Sequence, residues 1–357
     1  MSDRKHQVPR LDVELVRGCD QSCGHCYNVW NASGDQPQAG YPTGRLTTEV
    51  HRALVVKAID QSGARLITFT GGEPLLHPDC LAFIADARAL GAAVQLVTNG
   101  SHVSDPVARE LAELGVQSVQ LTLLSADRER HDRAKGAVCF DDTLRAALNL
   151  RRHRVPVQVC FVATADTASD FEGVLELCYA LGVRSLAYNR MAPNGGSARR
   201  YQRLLPSVEQ VEDNLATAQR FGPRYHLKIA TGMPIPPCLI EHTRFPWVQF
   251  GACSVGGPTP NVTLDPIGHL RSCNLSGHLL GDLRVQDWDQ IYPGSYVRDF
   301  HRRVPEPCRR CEHRERCQGG CKESAFAVFG DLAHPEPFLH QAWAGTIPRA
   351  QRLWVIG

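Results

Sequence analysis

The chain has 357 residues, 43% of them hydrophobic, and its 39 basic and 37 acidic residues leave a net charge of +2. That length suits one large α/β domain plus a smaller one. The near balance of charge excludes a global field for nucleic acid or an anionic membrane, and the local basic runs at 298–303 and 309–316 read as solvated faces.

Met1 is followed by SDRKHQVPR, which has no apolar h-region, and no apolar run is long enough to span a bilayer. The expected location is the cytoplasm, with no membrane partner. Fourteen cysteines in a reducing compartment point to metal binding or catalysis rather than disulfides.

LDVELV (11–16) predicts a strand. TTEVHRALVVKAIDQSG (47–63) predicts a helix with Val50, Leu54, Ala58 and Ile59 on its apolar stripe and Gly63 as its stop. RLITFT (65–70) is a strand followed by GGEP, and 79–91 a helix. AVQLVT (93–98) is a strand followed by Asn99–Gly100, and 105–115 a helix with Pro106 in its first turn. Strands at 117–124, 156–164 and 184–189 alternate with helices at 141–153 and 169–182. A loop at 191–200 and a helix at 207–222 follow, before the chain turns Pro-rich at 233–238. Six β-α repeats imply a parallel sheet with crossover helices. The expected fold is a partial (β/α)6 TIM-type barrel over 1–232, a cysteine-rich domain over 233–345 and a tail at 346–357.

Functional groups in such sheets lie in loops after the carboxyl ends of the strands. RGCDQSCGHCYN (17–28) follows the first strand, GGEP the second, Asn99–Gly100 the third and Ser125 the fourth, while Asn189–Arg190 end the sixth. Cys19, Cys23 and Cys26, spaced Cys-x3-Cys-x2-Cys, suit a loop around one [4Fe–4S] cubane. Such a cluster normally takes four thiolates, so three leave one iron free for a substrate or cofactor. The competing reading is a zinc knuckle or redox thiols, with His25 as a fourth zinc ligand.

Cys-x3-Cys-x-aromatic-Cys after strand one, with GGEP after strand two, resembles the radical S-adenosylmethionine (SAM) superfamily. The resemblance implies that the free iron chelates SAM, that one electron breaks its sulfonium C–S bond, and that a 5′-deoxyadenosyl radical takes a substrate hydrogen. It makes Cys19, Cys23 and Cys26 the catalytic cluster ligands, with His25 in the ring-bearing position and Tyr27 after them. It assigns Gly71, Gly72, Glu73 and Pro74 to the SAM amino group, Asn99 and Ser125 to the ribose or carboxylate, and Arg190 to the carboxylate. An external donor such as flavodoxin or ferredoxin would supply the electron.

The later cysteines read Cys253, Cys273, then CRRCEHRERCQGGC at 308–321. Taken alone, the Cys-x2-Cys pair also suits a zinc module. The whole pattern resembles the SPASM extension of radical SAM enzymes, with VTLDPIGHLRSC (262–273) as its β-hairpin. The resemblance implies that Cys253, Cys273 and Cys321 bind one auxiliary [4Fe–4S] cluster and Cys308, Cys311 and Cys317 a second. Each set is one ligand short. Cys238 is the candidate for the first set, against an open iron there or an inert Cys238. The second lacks the family's later cysteine, leaving His334, Glu336 or, nearest the expected spacing, His340; an open iron or a lost cluster are the alternatives. Cys80, Cys160 and Cys178 read as packing residues; Cys139 reads as packing near the rim, against a place facing the active site, and His131 and Asp132 as part of a solvated turn, against contacts with SAM or substrate.

Auxiliary clusters suit removal of an electron from a substrate radical, hence oxidation or crosslinking of a peptide or protein side chain. The alternative is oxidation or epimerisation of a small metabolite such as a sugar, nucleoside or tetrapyrrole precursor. With a barrel starting near residue 11, no fused leader-binding domain is expected. A non-catalytic module holding clusters or zinc is a third reading.

Overall fold

The computed structural model describes residues 7–30 and 41–346. The expected tail lies, from 347 on, outside the described residues. The first half alternates as β1 (Arg10–Glu14), α1 (Thr48–Ser62), β2 (Leu66–Thr70), α2 (Cys80–Ala89), β3 (Ala93–Thr98), α3 (Asp105–Glu113) and β4 (Ser118–Thr122). It continues with α4 (Arg128–Lys135), α5 (Phe140–Arg152), β5 (Val157–Ala163), α6 (Phe171–Ala180) and β6 (Ser185–Arg190). Local chemistry sets the boundaries. The Thr47 side chain accepts from Val50 N at the start of α1, and Ser104 does the same for Val107 N at α3. The buried stripe of α1 begins at His51 rather than at Val50, which is exposed.

Strand alternation gives the sheet two different faces. Leu11, Val13, Ile67, Phe69, Val94 and Leu96 pack with Leu54, Val55, Ala58, Phe83 and Ile84 of α1 and α2 in the main core. The opposite face carries Asp12, Glu14, Thr68 and Thr70, aligned Asp12 with Thr68 and Glu14 with Thr70. The outside of the curved sheet is therefore oil and its inside polar, a lining suited to a reaction chamber.

Two features extend the expected six-strand series. α7 (Tyr201–Leu204) and α8 (Val208–Arg224) lead into β7 (Lys228–Thr231) and β8 (Val248–Gln249), both parallel additions beyond β6. On the other edge, β9 (Asn261–Leu264) pairs parallel with β1, and β10 (His269–Arg271) and β11 (Leu279–Asp282) follow antiparallel. The sheet order is β11-β10-β9-β1-β2-β3-β4-β5-β6-β7-β8. The hairpin around DPIG is built by Asp265, whose Oδ1 accepts from Ile267 N at 2.9 Å and His269 N at 2.8 Å. The cysteine-rich part is thus stitched into the barrel's sheet, and Val262, Leu264 and Leu270 join the same core. The helices α9 (Trp288–Ile291), α10 (Gly294–Phe300), α11 (Arg314–Cys317), α12 (Lys322–Phe329) and α13 (Pro337–Thr346) complete the chain. No helix among the described residues is long and apolar enough to cross a membrane.

Helices α1 and α6 are each followed by a left-handed glycine, Gly63 and Gly182, whereas α5 is followed by Arg154 at φ 61°. A side chain there costs roughly 1 kcal/mol relative to glycine. Arg154→Gly is expected to stabilise the protein by about 0.5–1 kcal/mol, read as a raised midpoint in thermal or urea unfolding.

Candidate functional site

The loop 17–28 leaves β1 and is held from below by the loop after β2. Gly72 N donates to Val16 O at 2.8 Å and Glu73 N to Gly18 O at 2.9 Å. A Cβ on Gly72 would run into the Gly18 carbonyl, so the two backbones touch because residue 72 has no side chain. Asn28 Nδ2 donates to Gly71 O at 2.7 Å, closing the far end of the loop.

Glu73 is fully buried and joins three segments. Its Oε1 accepts from Thr98 Oγ1 at 2.6 Å and Leu75 N at 3.1 Å, and its Oε2 from Asn99 N at 2.8 Å. Burial raises its pKa against the pull of these donors. A carboxylate has about four acceptor sites, so one remains beyond the three used here. Asn99 in turn donates through Nδ2 to Asp20 Oδ1 at 2.5 Å, and His102 Nε2 lies 3.1 Å from Asp20 Oδ2. GGEP and the loop after β3 therefore grip the cysteine loop itself. Ser125 Oγ is buried and accepts from Asp127 N at 2.9 Å.

A second grip comes from α4, where the sequence suggested a loop. Ser22 N donates to Lys135 O at 3.0 Å and Gly24 N to Ala134 O at 3.4 Å. The expected solvated turn at His131 and Asp132 is also corrected. His131 is fully buried with Nδ1 accepting from Leu124 N, and Asp132 Oδ1 accepts from Cys139 N and Phe140 N. Burial, then the Lys135 and His131 charges, lower the His25 pKa to about 3, so this ring is neutral at pH 7. Tyr27 OH accepts from Asn274 Nδ2 at 3.2 Å, linking the cysteine loop to the segment after β10.

Arg190, expected at a carboxylate of SAM, is held by the protein through two of its three nitrogens, and its Nη1 is buried without a partner. Its Nη2 donates to both oxygens of Glu336, its Nε donates to Pro234 O at 3.2 Å, and the guanidinium lies 4.8 Å from the Phe338 ring centroid. Both members of the pair are fully buried. Glu336, named as a substitute cluster ligand, is thereby committed to Arg190 and to the backbone N–H of Cys321.

The later cysteines form two groups. The charges felt by Cys273 include those of Cys253 and Cys321. Cys238 does not join them. It shares a small pocket with Cys308, Cys311 and Cys317, beside Leu339 of α13. His340, one residue on and so rotated by about 100°, packs instead at a tilt against the rings of Phe329 at 5.0 Å and His334 at 5.4 Å. Cys238, expected with the first set, thus lies beside the second, and His340, expected with the second, lies beside Phe329 and His334.

The residues fit iron–sulfur clusters on two counts. First, backbone N–H groups are aimed at the sulfurs: Gln21 at Cys19, Asn28 at Cys26, Val255 at Cys253, Leu275 at Cys273, Gly319 and Gly320 at Cys317, and Ser324 at Cys321. His313 N donates to Cys311 Sγ at 3.4 Å. Each donor favours the thiolate, the form that binds iron, against burial, which holds Cys19 up at about 11 and Cys26 at about 12. Cys178, a packing cysteine on α6, is pushed up to about 12 by burial alone, with no such donor. Second, a single zinc ion holds its sulfurs roughly 3.8 Å apart, from a Zn–S distance of about 2.3 Å. Among the described residues, the group of ligand atoms lying mutually within 4.8 Å is His131, Asp132 and Cys139, and in no cysteine set do three thiols come that close. Thiolates placed on different irons of a cubane stand farther apart than that.

Residues 13–178 match the Radical SAM superfamily. Over 348 residues the chain is 24% identical to an AdoMet-dependent heme synthase of Methanosarcina barkeri, covering 93% of this chain and 96% of that protein. Among solved structures, Streptococcus suis SuiB bound to precursor peptide SuiA aligns with a TM-score of 0.72 at 13% identity, covering 93% of this chain and 76% of that one. His6-tagged anSMEcpe with bound AdoMet aligns with a TM-score of 0.71 at 17% identity, covering 97% of each chain. At these identities the structural likeness establishes a shared fold.

Proposed function

We propose that this chain is a radical SAM enzyme with a SPASM-type cysteine-rich C-terminal region, and that it abstracts hydrogen from a substrate C–H bond and completes an oxidation, modifying or crosslinking a peptide or protein side chain; the match over residues 13–178 and the fold shared with SuiB and anSMEcpe support this reading. When bound, the cluster and SAM supply the electron and the deoxyadenosyl group that takes the hydrogen. Cys19, Cys23 and Cys26 hold that cluster. Glu73 and Asn99 fix the loop around it through Asp20, and Gly71 to Pro74 form the floor beside which SAM lies. Tyr27, tied to Asn274, marks the passage from this loop toward Cys273. The observation that carries the reading is three cysteine sets whose sulfurs receive backbone N–H groups, the first in the loop that leaves β1: the first would hold the SAM-binding cluster, and the others would hold clusters able to take the electron that oxidation releases.

A second reading is favoured by the full-length similarity to a heme synthase: the substrate is then a tetrapyrrole precursor or a related small metabolite. The experiment is an anaerobic assay of the reduced enzyme with SAM, measuring 5′-deoxyadenosine. Cys23→Ala is expected to abolish the product, and continued formation would overturn the radical reading. Stimulation by short peptides supports the side-chain substrate, whereas stimulation by tetrapyrroles alone transfers the assignment to the second reading.

A further inference from the structure

We propose that Cys238 is the fourth thiolate of the site formed by Cys308, Cys311 and Cys317. That site is then closed by four cysteines, while Cys253, Cys273 and Cys321 form a three-thiolate site. This rests on the reading of the C-terminal cysteines as iron–sulfur ligands and goes beyond it in naming a ligand drawn from between β7 and β8, instead of one after Cys321.

Three observations carry the assignment. The four sulfurs line one pocket whose exposed lining is apolar, with Pro237 and Leu339 beside them. The Cys238 thiol feels Cys317 and Cys311 as its largest neighbouring charges, and Cys308 feels Cys317, Cys238 and Cys311. The third is the anchoring of the segment that delivers Cys238. Arg190 Nε holds Pro234 O, Ile235 and Ile240 are buried in the second core, and Leu239 N and Ile240 N both donate to Pro236 O at 3.0 and 3.2 Å. Three prolines at 234, 236 and 237 fix φ through this stretch, so Cys238 is presented by a pre-shaped turn. The neighbouring His313 gives its backbone N–H to Cys311 Sγ, and its ring Nε2 lies 3.8 Å from Glu312.

The test uses the full-length protein, purified and reconstituted without oxygen, with iron, sulfide and zinc counted and the reduced clusters read by EPR and Mössbauer spectroscopy. Three cubanes correspond to about twelve irons per chain. Cys238→Ala and Cys308→Ala are expected to remove the same EPR signal and lower the count to about eight, or to convert that cluster to a three-iron form. His340→Ala and His313→Ala are expected to keep the parent count and spectrum. The SAM-dependent change in the N-terminal cluster's EPR signal reports that each variant is folded, and Cys238→Ser replaces Cys238→Ala if that signal is lost. The proposal is overturned if the Cys238 variant keeps every cluster signal while Cys308→Ala loses one, or if the site takes zinc. If neither Cys253→Ala nor Cys308→Ala changes the iron count, the underlying reading of the C-terminal cysteines fails as well, a result distinguishable from the first.

Discussion

Gly72→Ala is expected to remove the N-terminal cluster site while leaving the C-terminal ones filled. A methyl group at residue 72 would point at backbone, with Gly18 C at 2.6 Å and Arg17 O at 2.8 Å and the Gly18 carbonyl oxygen nearer still. Backbone cannot swing aside as a long side chain can. The loop bearing Cys19 or the loop bearing Glu73 must therefore move, breaking the hydrogen bonds from Gly72 N to Val16 O and from Glu73 N to Gly18 O. Misplacing reacting groups by about 1 Å costs roughly 100-fold in rate. The 5′-deoxyadenosine rate should fall at least that far, and the iron count should drop by about four of twelve. Gly18→Ala is the control, because a Cβ there meets nothing within 4 Å. If Gly72→Ala matches Gly18→Ala in iron and in rate, the close approach of the two loops has no role in building the site.

The same residues mark what could be read before the structure. The strands and helices of the first half declare themselves through period, caps and stops, because each buries one face against one neighbour. Helix α4 escaped that reading. RERHDRAK buries only His131 and Lys135, so it has almost no apolar stripe, and its signals are its caps: Asp127 accepting from Arg130 N and left-handed Gly136. Strands β7 and β8 are only four and two residues long and register only beside their sheet neighbours. The cysteine motifs are local and were legible as ligands. Their partnership was not, because it is decided by folding. Cys238 is fifteen residues from Cys253 in the chain, yet it shares its pocket with Cys308, Cys311 and Cys317. Pro337, opening α13 at its first position, was the available hint that 337–346 is a helix whose successive residues face different ways.

Arg190 and Glu336 give the other large expected effect. By family resemblance Arg190 would serve SAM; in the structure it ties the end of β6 to the start of α13, and Glu336 carries the connection to Cys321 through that residue's N–H. Both side chains are fully buried, so removing either strands a charge. Breaking such a pair from one side costs roughly 3–5 kcal/mol, whereas replacing both partners with apolar groups is often near neutral. Arg190→Met and Glu336→Leu should each lower the urea midpoint of the anaerobic holoenzyme, and the double variant should recover most of that loss. Loss of the Glu336 tie should also alter the EPR signal of the Cys253, Cys273 and Cys321 site, which contains the residue Glu336 touches. A purely SAM-binding arginine predicts the opposite pattern: Arg190→Met would leave stability intact and weaken SAM binding, and adding Glu336→Leu would rescue nothing. The sign of the coupling in this double-mutant cycle therefore decides whether Arg190 belongs to the cofactor or to the junction between the barrel and its cysteine-rich half.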